Sequence, residues 1–204
     1  MQSAGPSTPK GAVSPVILTR TRKIPASVLT RADLLELYDQ LTEKVREERD
    51  KEISQLLRSA NNGDETKAML ERKADEVYTI GITITATNGE SIFGDSKDVI
   101  SNISSTLDLS SIYFDNSTAF QAEYGTPFRN RFALFLDFSK PSVFDFSHPV
   151  TDPTPNGSAF DVSGNDTWVR AVYDQFNSFF ESRKTKRNRV YPLSAVIDDS
   201  VKHG

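Results

Sequence analysis

The stretch NDTWVRAVYDQFNSFFESR, residues 165–183, decides the fold. Trp168, Val169, Val172, Phe176, Phe179 and Phe180 recur at helical spacing, so one side of a helix is densely aromatic. A stripe of that kind is a core face and needs a broad apolar layer to lie on. The residues before it supply one. In Thr79–Thr85 the period is two, with Ile80, Ile82 and Ile84 on one face and Thr79, Thr83 and Thr85 on the other. Branched residues in that alternation predict a half-buried strand.

Asn88-Gly89 follows, a pair in which both residues tolerate positive φ, and it predicts a hairpin. A two-residue loop there sets Ile84 opposite Phe93. Beyond it, Asp95 or Ser96 is expected to cap a helix whose inner face is Val99, Ile100, Ile103 and Leu107. Further strands are expected at Ser111–Asp115, Arg131–Phe138, Val143–Phe146 and Ser158–Val162. Phe132, Leu134, Leu136 and Phe138 make the second of these the candidate central strand, with Ala133 and Phe135 giving it a partly apolar second face.

Upstream, Thr30 and Asp33 form an acidic variant of the capping box. Leu34, Leu37, Tyr38, Leu41 and Val45 continue as one helical stripe. It breaks at the mixed-charge run Arg46–Glu52, a solvated face, and resumes at Ile53, Leu56 and Leu57. Asn61-Asn62-Gly63 ends the helix, and a second helix over Asp64–Glu76 turns Met69, Leu70 and Ala74 inward. The polar middle suggests that this hairpin projects.

The expected class is therefore α+β. An antiparallel sheet of five to six strands is covered by a long C-terminal helix and preceded by a helical hairpin. The expected division is a disordered or loosely docked leader (1–29), a hairpin arm (30–76), a core domain (77–183) and a basic, then apolar, tail (184–204). Within the leader, Val16–Leu18 could add a strand to an open sheet edge.

Composition narrows function mainly by exclusion. The chain of 204 residues has no cysteine, which removes disulfides, thiolate metal sites and cysteine nucleophiles. A net charge of −4 argues against a chain devoted to nucleic acid. No secretory pattern opens the sequence, and nothing approaches the roughly 20 apolar residues of a membrane span. A cytoplasmic location is the simplest expectation. The Asn-x-Ser/Thr triplets at Asn102, Asn116, Asn156 and Asn165 are then chance matches.

Two chemistries compete for attention. Gly94-Asp95-Ser96, followed by Asp145 and His148, resembles the GDSL (SGNH) hydrolases in residue type and order. The resemblance implies Ser96 as nucleophile, His148 as base and Asp145 as its orienter, for acyl transfer. Against it, the residues between the two motifs read mostly as strands, unlike that family's alternating architecture. Gly164-Asn165-Asp166 lacks one residue of the family's oxyanion motif and comes too late. Asp95-Ser96 is moreover explained as a helix cap, so the expectation is a protein without enzymatic activity. Asp161, Asp166, Asp198 and Asp199 read as solvated carboxylates, and no metal or cofactor is expected.

The second is a run of cations, Arg183, Lys184, Lys186, Arg187 and Arg189, with no acid among them. They complement a helix C-terminus, or they bind an anionic partner such as a lipid headgroup, nucleic acid or acidic protein. Arg20, Arg22 and Lys23 could extend the patch. Strands closed by a helix bearing Trp168 are similar in outline to pleckstrin-homology and helix-grip lipid-binding domains, a likeness of architecture only.

The leading expectation is an interaction module that engages a macromolecular partner, or itself, through the hairpin or the basic segment. The alternative is a small-ligand or lipid binder with a pocket between the last helix and the sheet.

Overall fold

The structure is a computed structural model and describes residues 16–25, 27–59, 64–104, 107–138, 157–184 and 194–196. In chain order these form β1 (Leu18–Lys23), β2 (Val28–Thr30), α1 (Arg31–Ser59), α2 (Asp64–Val77), β3 (Gly81–Ala86), β4 (Ser91–Gly94) and α3 (Asp98–Ser101). They continue with β5 (Leu109–Asp115), α4 (Thr118–Tyr124), β6 (Arg131–Asp137), β7 (Ala159–Gly164), α5 (Asp166–Ser182) and β8 (Ser194–Val196). The class is α+β. Six strands make one antiparallel sheet in the order β1-β7-β6-β5-β3-β4, and β2 pairs in parallel with β8.

The period of two does what it predicts. Ile82, Phe114, Leu134 and Phe160 share one register row, Ile84, Ile112 and Leu136 the next, and all are buried. On this inner face lies α5, with Trp168, Val169, Val172, Phe176, Phe179 and Phe180 buried, the six residues of the sequence stripe. Phe176 meets Phe160 at 4.8 Å and Phe132 at 5.7 Å between ring centroids. Each such ring stabilises the fold by roughly 1.5–3 kcal/mol. Asn165 caps the helix, its side-chain oxygen accepting from the Trp168 amide at 2.9 Å.

The capping box at the head of α1 is reciprocal. The Thr30 amide donates to Asp33 Oδ2 at 2.8 Å, and the Asp33 amide donates to Thr30 Oγ1 at 3.2 Å. Leu34, Leu37, Leu41 and Val45 then enter the same core cluster as the sheet residues and α5. The hairpin expected as a projecting arm is thus tied down along part of its length: α1 up to Val45 joins the core cluster, and Ile53, Ala74 and Val77 farther along the hairpin are buried as well.

Other expectations change in detail. The described part of the expected loose leader holds an edge strand, β1, paired with β7 from Leu18↔Gly164 to Lys23↔Ala159, and the start of β2. It starts where the proposed Val16–Leu18 strand was to end, and Ile24 and Leu29 beyond it are buried. Its alternation is Thr and Arg rather than apolar, which hid it. At Asn88-Gly89 the loop is one residue longer than expected. Ala86 donates to Glu90 O at 2.8 Å, Gly89 donates to Ala86 O at 3.0 Å, and Gly89 has φ +87°. This is a three-residue loop with a left-handed glycine. Ile84 consequently faces Ile92, and Phe93 faces Thr83. That one-residue slip turns Phe93 to the other side of the sheet.

The helix expected through Leu107 is the four-residue α3, yet Ile100 and Ile103 are still buried. A further helix, α4, had no counterpart in the sequence reading because none of its residues is buried. The strand expected at Val143–Phe146 lies outside the described residues.

Candidate functional site

Of the basic run, Arg183 and Lys184 are described, and both are engaged. Arg183 Nε lies 2.6 Å from Asp33 Oδ1 and Nη2 lies 2.7 Å from Glu36 Oε2. Its guanidinium carbon stands 3.7 Å from the centroid of the Phe179 ring, and Nη1 donates to Phe179 O at 3.2 Å. Here the cation closes the C-terminus of α5 and locks it to the head of α1. Burial alone would raise the Asp33 pKa. The hydrogen bonds from Thr30, with the bond and charge of Arg183, outweigh it and hold that carboxyl below its ordinary value. Lys184 Nζ lies 3.6 Å from Glu181, which also takes Arg22 at 2.6 Å. Arg20 sits over Tyr173 at 5.2 Å. The leader's arginines therefore do run along α5, in pairs with it. Lys186, Arg187 and Arg189 lie outside the described residues.

Ser96 behaves as a turn residue. Its Oγ accepts from the Asp98 amide at 3.1 Å at the start of α3. Asp145 and His148, its suggested partners, lie outside the described residues. No group of three potential metal ligands occurs among the described residues. Asp166 pairs with Arg170 at 2.8 Å, and Asp161 accepts from Thr21 Oγ1. Asp198 and Asp199 lie outside the described residues. Between α5 and the sheet, where a ligand pocket was the alternative, the rings of Phe132 and Phe160 are both buried against that of Phe176. No described helix is long and apolar enough to cross a membrane.

A buried polar network, unseen in the sequence, sits at one end of the sheet. Asn130 Nδ2 donates to Glu48 of α1, and Asn130 Oδ1 accepts from the Asn165 amide at 2.9 Å. Asn116 Nδ2 donates to Asn130 O at 3.0 Å, and its Oδ1 accepts from the Phe132 amide at 2.8 Å. The network joins α1, the β5–α4 turn, β6 and the start of α5, and its polar groups satisfy one another. It is scaffold. It also gives Asn116 and Asn165 structural work inside triplets read as chance.

A further surface among the described residues is the outer face of the sheet. One register row crosses all six strands there: Phe93, Thr83, Tyr113, Phe135, Ala159 and Lys23. Phe93 is 65% exposed, Tyr113 37% and Phe135 39%. The ring of Phe93 leans over Gly81, where an added Cβ would stand 3.6 Å from it. Burial, then the charges of Asp115 and Asp161, push the Tyr113 hydroxyl pKa above its ordinary value. Flanking rows carry Ser111, Thr85 and Asp137 on one side and Ala133 and Asp161 on the other. This is an aromatic-centred surface with hydroxyls and carboxylates in the flanking rows. The partly apolar second face of β6 was its one sequence signal. The two-residue loop expected from the sequence would put Phe93 on the inner side, and Tyr113 carries no sequence signal of its own. A smaller apolar exposure lies on the hairpin, at Leu56 and Met69.

Comparison with family models, with curated proteins and with solved structures found no match to the chain.

Proposed function

We propose that this chain is a non-enzymatic, cytoplasmic interaction module that docks a protein surface on the open face of its sheet. The observation that carries the reading is the row of Phe93, Tyr113 and Phe135, left exposed in one register line. Aromatic residues are enriched at the centres of protein interfaces, where a few anchors such as Tyr carry most of the binding energy, and a polar margin around an apolar centre is the usual layout. Carboxylates at Asp137 and Asp161 disfavour a polyanion on this face.

A photo-reactive phenylalanine analogue at position 113, in cells expressing the full chain, tests the reading. Position 174, on the exposed side of α5, serves as control. Protein adducts at 113 and not at 174 are expected. Identical adduct patterns at the two positions would falsify it.

The exposed Leu56 and Met69 favour a second surface on the hairpin. Leu56→Gln with Met69→Gln, which spares the core part of α1, abolishes partner binding in that reading and leaves it intact in the first.

A further inference from the structure

We infer that the occupant of the open face is a second copy of this chain. The two copies pack face to face about a twofold axis that runs parallel to the strands between β5 and β6. This rests on the reading above that the face docks protein. Three features on that surface select the arrangement.

The first is the match of residues under the symmetry. With strand order β1-β7-β6-β5-β3-β4, the axis brings each strand over the one equally far from the centre on the other copy. Phe135 then meets Tyr113, Ala159 meets Thr83, and Lys23 meets Phe93. The two central contacts are aromatic on aromatic, and the two outer ones bring a cation beside Phe93 with no like charge opposite it.

The second is charge. Asp161 comes opposite Gly81, Asp115 opposite Ala133 and Asp137 opposite Ser111, so no two carboxylates are opposed. A twofold axis perpendicular to the strands along the same row would also stack ring on ring, but it would set Lys23 against Lys23, a like-charge contact. An isologous interface must be self-complementary, and of these two axes the first avoids the like-charge contact.

The third is area. Six strands about 4.8 Å apart and about 20 Å long present roughly 500–600 Å² per copy. The two copies together therefore reach the roughly 1,000 Å² at which a specific interface begins. Sheets packed this way keep a separation of about 10 Å, which the protruding rings fill.

Because the chain has no cysteine, single reporters can be placed cleanly. Ala159→Cys chains and Thr83→Cys chains are purified separately, mixed and treated with a short bismaleimide. The expected product is a covalent heterodimer in the mixture, with several-fold less product from either variant alone. In like-with-like pairs the two cysteines sit three strands apart. Sedimentation velocity of the wild type should show a species of twice 22.7 kDa. Tyr113→Ser with Phe135→Ser should raise its dissociation constant about tenfold or more while thermal unfolding stays cooperative.

A wild type that remains monomeric at hundreds of micromolar overturns the inference, as does equal cross-linking in the mixture and in the single-variant samples. A monomer whose position 113 captures a different protein overturns the second copy and leaves the interaction module standing. A monomer with no adduct specific to 113 removes both.

Discussion

Arg183 Nε stands 2.6 Å from Asp33 Oδ1, so the residue that ends α5 holds the residue that caps α1 across 150 positions of chain. One carboxylate thereby serves both ends of the scaffold, accepting from Thr30 with one oxygen and from Arg183 with the other. The pair is about four-fifths withdrawn from solvent, with side-chain exposures of 19% and 22%, so it is screened less than a surface ion pair. Arg183→Ala should cost about 1–3 kcal/mol in urea unfolding. Arg183→Lys should recover little, because an ammonium cannot reach Asp33, Glu36 and the Phe179 carbonyl together. Full recovery by lysine would show that charge alone matters there.

The same carboxylate gives stability an acid limb. Asp33 ionises more readily in the folded protein than in the unfolded chain. Its contribution is complete above the unfolded value and is lost as pH falls through the lower folded one. On the alkaline side, burial and then the Glu52 bond and charge raise Tyr78, and burial is the main cause for Tyr38 and Tyr113. A raised tyrosine stabilises the fold below its unfolded value near 10 and loses that contribution as pH climbs toward the folded one. Denaturation midpoints across pH should thus form a plateau with two shoulders. Asp33→Asn should lower the plateau and flatten the acid shoulder, and Tyr78→Phe should flatten the alkaline one. Unchanged shoulder slopes in both variants would refute the assignment.

Gly164 lies at the joint between β7 and α5, with φ +151°. An added Cβ would press into Asn130 Oδ1 and stand 2.9 Å from Trp168 Cδ1. Both neighbours are fixed, the first by its bonds to Glu48 and Asn165 and the second by burial against the sheet. Neither can yield cheaply. Gly164→Ala should therefore destabilise by roughly 1–3 kcal/mol, whereas the same change at Gly125, where nothing lies within 4 Å, pays only for its φ of +69°. Chemical denaturation of the two variants side by side settles the ranking.

What the sequence disclosed follows from where its periodicity was strong. The stripe of α5 and the alternation of β3 and β6 each repeat enough to fix both element and face. The six helix residues and the buried rows came out as read. Where pattern gave out, so did the reading. Asn88-Gly89 suits a two-residue or a three-residue loop equally, and only cross-strand pairing reveals that Phe93 faces Thr83. In α4, Phe120 packs on Tyr78 and Phe128 without a recurring stripe, so no helical period was visible. The open face was obscured for a related reason. Phe93, Tyr113 and Phe135 are far apart in sequence and become one row only through the strand order.

That row separates two kinds of aromatic residue, and the separation can be measured. Phe176 is fully buried against Phe132 and Phe160, so Phe176→Ala removes apolar contact and leaves a void. The expected loss is about 3–5 kcal/mol. Phe135 sits on the opposite side of the same strand as Leu134 and is 39% exposed. Phe135→Ser gives up only the part of the ring its neighbours cover, so roughly 1 kcal/mol is expected for the monomer, with strand propensity included. Unfolding must be followed at low concentration, so that any partner contact is absent. Should Phe135→Ser prove as costly as Phe176→Ala under those conditions, the outer ring is holding the fold rather than waiting for a partner, and the open face loses its claim to be a binding surface.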